Sequence, residues 1–205
     1  MPAILMPDLS VDERNAVLDD AARILDNGGL VVFPTDTVYG LGFRLDHQLA
    51  KDKFVRLKKR DPDKPVSRHV STIDEILNGP YTLDFDQEEF IRVFLPGPVT
   101  VLVLDHKAQI QGLRCPANRT SCELLSRTTY PVGASSVNIS GENPLSKGLL
   151  IDKIFGDSID LRLMADDEVP GCVSTIVDLT KTPFQIVRKG MDVERMKTFI
   201  RTRSL

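Results

Sequence analysis

One apolar run, LVVF at 30–33, is framed by a capped helical pattern before it and by the polar stretch PTDTVYGLG at 34–42 after it. Upstream, Ser10-Val11-Asp12-Glu13 reads as a capping box, and Val17, Ala21 and Ile24 recur at helical spacing until Asn27-Gly28-Gly29 ends the helix. LVVF itself reads as a buried strand. In PTDTVYGLG, Pro34 fixes φ, Asp36 can bond its own backbone, and Gly40 and Gly42 relieve tight geometry, so a strand-to-helix turn is one reading. Thr35, Thr37 and Tyr39 add hydroxyls that a turn does not need, and they point to a binding role.

The rest of the chain continues the alternation. A helix is predicted over 48–58, with Leu49, Phe54 and Leu57 toward the core and Lys58 at its end, then a strand over 66–70 and a short helix through Leu77 capped by Ser71 or Thr72. A helix over 87–95 stops at Pro96-Gly97-Pro98, and VTVLVLD follows as a strand. Further strands are predicted over 132–138, 161–165, 175–179 and 184–188, and helices over 117–127, 149–155 and 193–200. Helices separate the early strands and short loops join the last three, so the expected fold is α/β with a mixed, twisted sheet. At 205 residues the chain is expected to form one domain spanning 1–205.

A net charge of −3 gives no general attraction to polyanions. The stretch from Lys51 to Arg68 is the exception, because Lys51, Lys53, Arg56, Lys58, Lys59, Arg60, Lys64 and Arg68 face only Asp52, Asp61 and Asp63 there. Cys115, Cys122 and Cys172 lack paired spacing and the chain has three histidines, which argues against a disulfide framework or a zinc site. The cysteines read as small buried hydrophobes. No basic leader with a long apolar run opens the sequence, and a cytoplasmic location is expected, with no membrane partner.

Lys58-Lys59-Arg60-Asp61-Pro62-Asp63-Lys64-Pro65 leaves a helix and enters a loop stiffened by two prolines. Arg60 can clamp phosphate oxygens as a fork, with Lys58 or Lys64 as point charges; a solvated charge run is the ordinary alternative. In Ser135-Ser136-Val137-Asn138-Ile139-Ser140-Gly141, strand alternation puts Ser136 and Asn138 on one face, where Asn138 could read a base or ribose edge or simply form an Asx turn. Arg114, Arg188, Ser174-Thr175 and His69, which shares a strand face with Ser67, complete the candidates.

PTDTVYGLG, the K-x-R of Lys58 and Arg60, KPVSRHV, LPGPVTVLV, LRCP, SSVNISG, STIVDL and IVRKG, in this order, resemble the YrdC/Sua5 family, the threonylcarbamoyl-AMP synthases. The resemblance spans about residues 14–190. It implies an open, twisted sheet flanked by helices around a positively charged cavity. It also implies a nucleotidyltransferase that joins L-threonine, bicarbonate and ATP into threonylcarbamoyl-AMP and pyrophosphate, the first stage of N6-threonylcarbamoyladenosine formation in tRNA. Carried over by position, Lys58, Arg60, Lys64, Asn138, Ser146 and Arg188 are the implied ATP-binding residues, with Lys58 and Arg60 catalytic. Thr37, His69, Arg114, Ser136 and Ser174 are the implied threonine-binding residues, with Thr35 and Tyr39 lining the same cavity. Mg2+ is expected to arrive with ATP, since no carboxylate cluster promises a dedicated metal cage. Transient contact with tRNA or with the machinery that transfers the threonylcarbamoyl group is left open, and the extra C-terminal domain of longer Sua5 proteins is not expected after Leu205.

Two positions depart from the family pattern. Asp61 stands where proline commonly follows the K-x-R arginine, and Arg68 stands where an apolar residue is usual, on the face of Val66 and Val70. Both are expected in the ATP half of the cavity, which leaves room for a paralogue with another nucleotide ligand. A basic module that holds tRNA or double-stranded RNA through phosphates is a further alternative. Against it stand the clustering of cations in one loop, an aromatic content of 6% and the absence of tryptophan.

Overall fold

The computed structural model describes residues 3–145, 148–165 and 169–203. Chain order is β1 (Ala3–Leu5), α1 (Val11–Asp26), β2 (Val31–Phe33), β3 (Gly40–Arg44), α2 (Gln48–Lys58), β4 (Ser67–His69), α3 (Asp74–Leu77), β5 (Tyr81–Thr82) and α4 (Phe85–Phe94). It continues with β6 (Val99–Asp105), β7 (Ile110–Arg114), α5 (Arg119–Leu125), β8 (Val132–Ser136), α6 (Gly148–Phe155), a short 3-10 turn, β9 (Leu161–Met164), β10 (Thr175–Asp178), β11 (Gln185–Arg188) and α7 (Val193–Arg203). The strands form one open mixed sheet in the order β1-β9-β2-β3-β8-β4-β7-β6-β10-β11, with β5 paired to β6. Among the described residues no helix is long and apolar enough to cross a membrane.

Ser10 caps α1 as the sequence predicts: its hydroxyl accepts from the Glu13 amide at 3.4 Å, and the Glu13 carboxylate accepts from the Ser10 amide at 2.9 Å. At the other end Gly28 takes φ +81°, and the Gly29 amide reaches back to Ile24 O at 2.8 Å. The fully buried face of α1 is Leu18, Ala21, Ala22 and Leu25, while Val17 and Ile24 pack at its margin.

In α2 the buried stripe is Ala50, Phe54 and Lys58 at i, i+4 and i+8, whereas Leu49, expected in the core, is exposed. That geometry drives Lys58 inward: the same face that stacks Phe54 on Phe43 carries the lysine under the sheet.

PTDTVYGLG does not lead into a helix. It connects β2 to β3 as antiparallel neighbours, pairing Val31 with Gly42, Val32 with Leu41 and Phe33 with Gly40. The glycines serve packing, not a turn, since a Cβ at Gly42 would meet the Phe33 ring at 2.8 Å. No sequence signal marks β7: the exposed Ile110 and the half-buried Gln111 and Gly112 hide the alternation, and its place is fixed by the hairpin with β6. α3 is a short helix that ends at Leu77 as expected, but it is not capped by Ser71 or Thr72; the Glu75 carboxylate instead accepts from both their amides.

β6 turns Val99, Val101 and Val103 toward the core that includes Phe90, Phe94 and Leu113, so Thr100 points to the opposite face. Cys115 is buried, with its thiol pushed up to about 12 by burial, but Cys122 is half-buried and Cys172 exposed, which corrects the reading of all three as core residues.

Candidate functional site

The sheet register assembles one row of side chains. His69 pairs with Arg114 across β4 and β7, and continuing the Val101–Leu113 register by one residue sets Thr100 of β6 across from Arg114. Thr100 pairs with Ile176 of β10, which pairs with Arg188 of β11. All five line a cavity of about 330 Å³, joined by Lys58, Arg60 and Lys64 from α2 and the loop after it and by Ser136 and Asn138 from β8 and its extension. Thr35 and Ser174 complete the sequence candidates in the wall, and Glu142 is the one carboxylate among its described lining residues.

Lys58 is 2% exposed. Its ammonium donates to Ser136 O, to Asn138 O at 2.8 Å and to Asn138 Oδ1 at 3.2 Å, a full complement of acceptors for three N–H bonds. Burial, with Arg60 and Lys64 nearby, pulls its pKa down to about 7. Asn138 Oδ1 also accepts from Ser136 Oγ at 2.7 Å, while Nδ2 donates to Ile139 O at 2.9 Å and Glu142 O at 2.8 Å. The Asn138 amide is therefore occupied on both sides. It braces Lys58 and the 136–142 segment.

Arg60 curls back on its own loop, Nη2 donating to Pro65 O at 2.5 Å and Lys64 O at 3.3 Å, while its Nε–H is buried without a partner among the described residues. Burial lowers its pKa and Asp61 opposes that shift. Asp61 lies outside the wall, its carboxylate accepting from the Asp63 amide at 2.9 Å in an Asx turn. Arg68 also lies outside it. Alternation turns its side chain away from Ser67 and His69 toward the Tyr81 hydroxyl, 3.3 Å from Nη1, so this departure does not fall in the cavity as expected.

Arg114 is 6% exposed and is held by three groups from PTDTVYGLG. Nη2 donates to Asp36 Oδ1 and to Thr37 Oγ1, each at 2.6 Å, with Thr35 Oγ1 at 3.5 Å. The Thr35 hydroxyl donates to Val38 O at 2.6 Å, so the 3.0 Å contact between the two threonine hydroxyls runs from Thr37 to Thr35. Both protons are then committed within the loop, and the two threonines support Arg114 instead of offering donors. Asp36, read from sequence as a turn former, is the counter-charge of Arg114, and its other oxygen accepts from the Ala117 amide at 3.2 Å. Arg114 Nε–H is buried without a partner among the described residues. Burial lowers the Arg114 pKa against the opposing effect of Asp36.

His69 is buried, and desolvation, helped by Arg114, pushes its pKa down to about 3. The ring is neutral at pH 7. With Nδ1 at 3.2 Å from the acceptor Ser67 O, the proton sits on Nδ1 and Nε2 is left as an acceptor. Arg188 grips Ser174 through O, at 3.0 Å from Nε and 2.8 Å from Nη2, and through Oγ at 2.9 Å from Nη2.

Tyr39, expected in the cavity wall, is instead a core residue packed with Leu41 and Phe54, because strand-like alternation from Val38 turns its ring to the far face; its hydroxyl accepts from the Ala165 amide at 3.1 Å. Ser146 lies outside the described residues. Sequence reasoning missed Asp36 as a partner of Arg114 and passed over Thr100. The signal for Thr100 was available: a single hydroxyl inside the apolar alternation of VTVLV.

An open mixed sheet that gathers guanidinium, ammonium, imidazole and hydroxyl groups into one small-molecule cavity defines a class of α/β ligand-binding domains. The Sua5/YciO/YrdC family model, described as telomere recombination, matches residues 23–190, and the chain belongs to that family. A threonylcarbamoyl-AMP synthase of Pyrococcus abyssi is 28% identical over 180 residues, covering 83% of this chain, which spans 53% of that protein's length. A Mycobacterium leprae protein provisionally named a threonylcarbamoyl-AMP synthase is 31% identical over 194 residues, covering 87% of this chain and 85% of that one. The crystal structure of Pyrococcus abyssi Sua5 complexed with L-threonine superposes with a TM-score of 0.83 at 26% identity, covering 91% of this chain and 58% of that chain. Escherichia coli YciO shares the fold, with a TM-score of 0.78 at 21% identity over 87% of this chain and 91% of its own.

Proposed function

We propose that this chain, acting as a single YrdC-like domain, is a threonylcarbamoyl-AMP synthase, with L-threonine, bicarbonate and ATP as substrates and pyrophosphate as the second product. The observation that carries the proposal is the wall itself: Lys58, Arg60, Lys64, Arg114 and Arg188 converge with a neutral histidine on a cavity whose described lining residues include one carboxylate, Glu142. Such a gathering of basic groups suits a polyphosphate beside an amino-acid carboxylate. The family membership and the relative complexed with L-threonine support the same reading.

The threonine amine condenses with bicarbonate, releasing water, and yields a carbamate. A carbamate oxygen then attacks the α-phosphorus of ATP, the bond from that phosphorus to the bridging oxygen breaks, and pyrophosphate leaves. No covalent enzyme intermediate is needed, and the protein contributes position and charge. Lys58, Arg60, Lys64 and Arg188 oppose the phosphates. Arg114, held by Asp36 and Thr37, offers its unpartnered Nε–H side to the threonine carboxylate. Nε2 of His69 can accept from the amine. Among the described residues no group of three metal-ligating side chains occurs, so Mg2+ would arrive as the counter-ion of ATP and take phosphate oxygens and water as ligands. The product would serve, in the cytoplasm, the N6-threonylcarbamoyladenosine modification of tRNAs that read ANN codons.

The test is pyrophosphate release by purified protein. Release that requires ATP, L-threonine and bicarbonate together is the expected result, and release indifferent to the amino acid would overturn the assignment.

A further inference from the structure

Thr100 and Ser174 form a buried hydroxyl pair in the cavity wall, 3.1 Å apart, with residue exposures of 4% and 2%. Each hydroxyl has one proton. Whichever of the two donates to the other, a single proton stays uncommitted among the described residues, because the remaining contact of Ser174 Oγ is the N–H of Arg188, a donor. A buried hydroxyl proton without an acceptor is costly, so the pair is built for an oxygen supplied by a ligand. The register fixes what lies beside it. Thr100 sits between Arg114 on β7 and Ile176 on β10, and neighbouring strands stand about 4.8 Å apart. A carboxylate anchor, a hydroxyl donor and a branched apolar side chain therefore follow one another along one row.

We propose that Thr100 and Ile176 determine amino-acid specificity: with the carboxylate on Arg114, the Thr100–Ser174 pair donates to the β-hydroxyl of the substrate and Ile176 packs against its β-methyl. This rests on the reading of the cavity as the site for an amino acid and ATP. It goes further in assigning the two halves of the side chain to two different residues, neither of which sequence reasoning had placed in the site.

Two truncated substrates separate the roles, since L-2-aminobutyrate lacks only the hydroxyl of threonine and L-serine lacks only its methyl. The measurement is kcat/KM from ATP-dependent pyrophosphate release with threonine, serine and 2-aminobutyrate, using wild type, Thr100→Val, Thr100→Ser and Ile176→Ala. In Thr100→Val the preference for threonine over 2-aminobutyrate should fall about tenfold or more while the preference for threonine over serine holds. Thr100→Ser keeps the hydroxyl and should restore the first preference; with Ile176→Ala it decides the matter if Thr100→Val does not fold. Ile176→Ala should shrink the threonine-to-serine preference instead. Equal losses on all three substrates in both variants would mark Thr100 and Ile176 as structural and overturn the inference while leaving the proposed function standing. Wild-type protein that responds to none of the three amino acids would overturn both.

Discussion

Removing the Asp36 carboxylate should destabilise the protein far more than its loop position suggests. Asp36 and Arg114 keep only 11% and 7% side-chain exposure and meet at 2.6 Å, so Asp36→Ala leaves a guanidinium buried with no counter-charge. Breaking one side of such a pair costs about 3–5 kcal/mol, because an uncompensated charge stays in the interior. Asp36→Asn keeps an acceptor oxygen and should cost less. Arg114→Met in the Asp36→Ala background removes the stranded charge, so the double variant should be more stable than the sum of the single losses allows, with a coupling above about 2 kcal/mol. The chain has no tryptophan, so urea unfolding is best followed by far-ultraviolet circular dichroism. Single and double losses that add to within about 0.5 kcal/mol would refute the claim that PTDTVYGLG holds Arg114 by charge.

Arg60→Ala should leave folding intact and weaken ATP binding by about 1.5–3 kcal/mol in calorimetry, with most turnover lost; near-normal pyrophosphate release would remove Arg60 from the phosphate site. Because the pKa of Lys58 is about 7 in the folded protein and 10.5 as its ordinary value, the unfolded chain binds more protons between these limits. Wild type should therefore gain stability relative to Lys58→Met as pH rises from about 7 toward 10, and a pH-independent difference in urea midpoints would contradict a buried, depressed Lys58. Asp61→Pro removes a negative charge beside Arg60 at the expense of one Asx contact, so ATP affinity should hold or rise; its loss in calorimetry would make Asp61 a positive part of the site.

The features legible in the sequence were those set by local chemistry. The Ser10–Glu13 capping box, the bounds of α2 and the strand VTVLVLD each follow from side-chain patterns within a few residues, and the structure has them where they were expected. β3 and β7 were not legible, because glycines needed for close packing, Gly42 against Phe33 and Gly112 beside Ser67, imitate turn signals. In the site, residue type alone was enough to nominate cations such as Lys58 and Arg114. What those cations bond to was not, since Asp36 meets Arg114 across 78 positions and Lys58 reaches Asn138 across 80. The same limit explains Tyr39: a hydroxyl in a polar motif looks like a site residue until the sheet turns its ring into the core.

The proposed reaction joins threonine, bicarbonate and the adenylate of ATP in one cavity. Mass spectrometry of the nucleotide products, with isotopically labelled bicarbonate and labelled L-threonine supplied together, tests it most directly. A single adenylate carrying both labels and formed in step with pyrophosphate is the expected product. ATP cleavage that yields unlabelled AMP, or an adenylate carrying neither label, would contradict it.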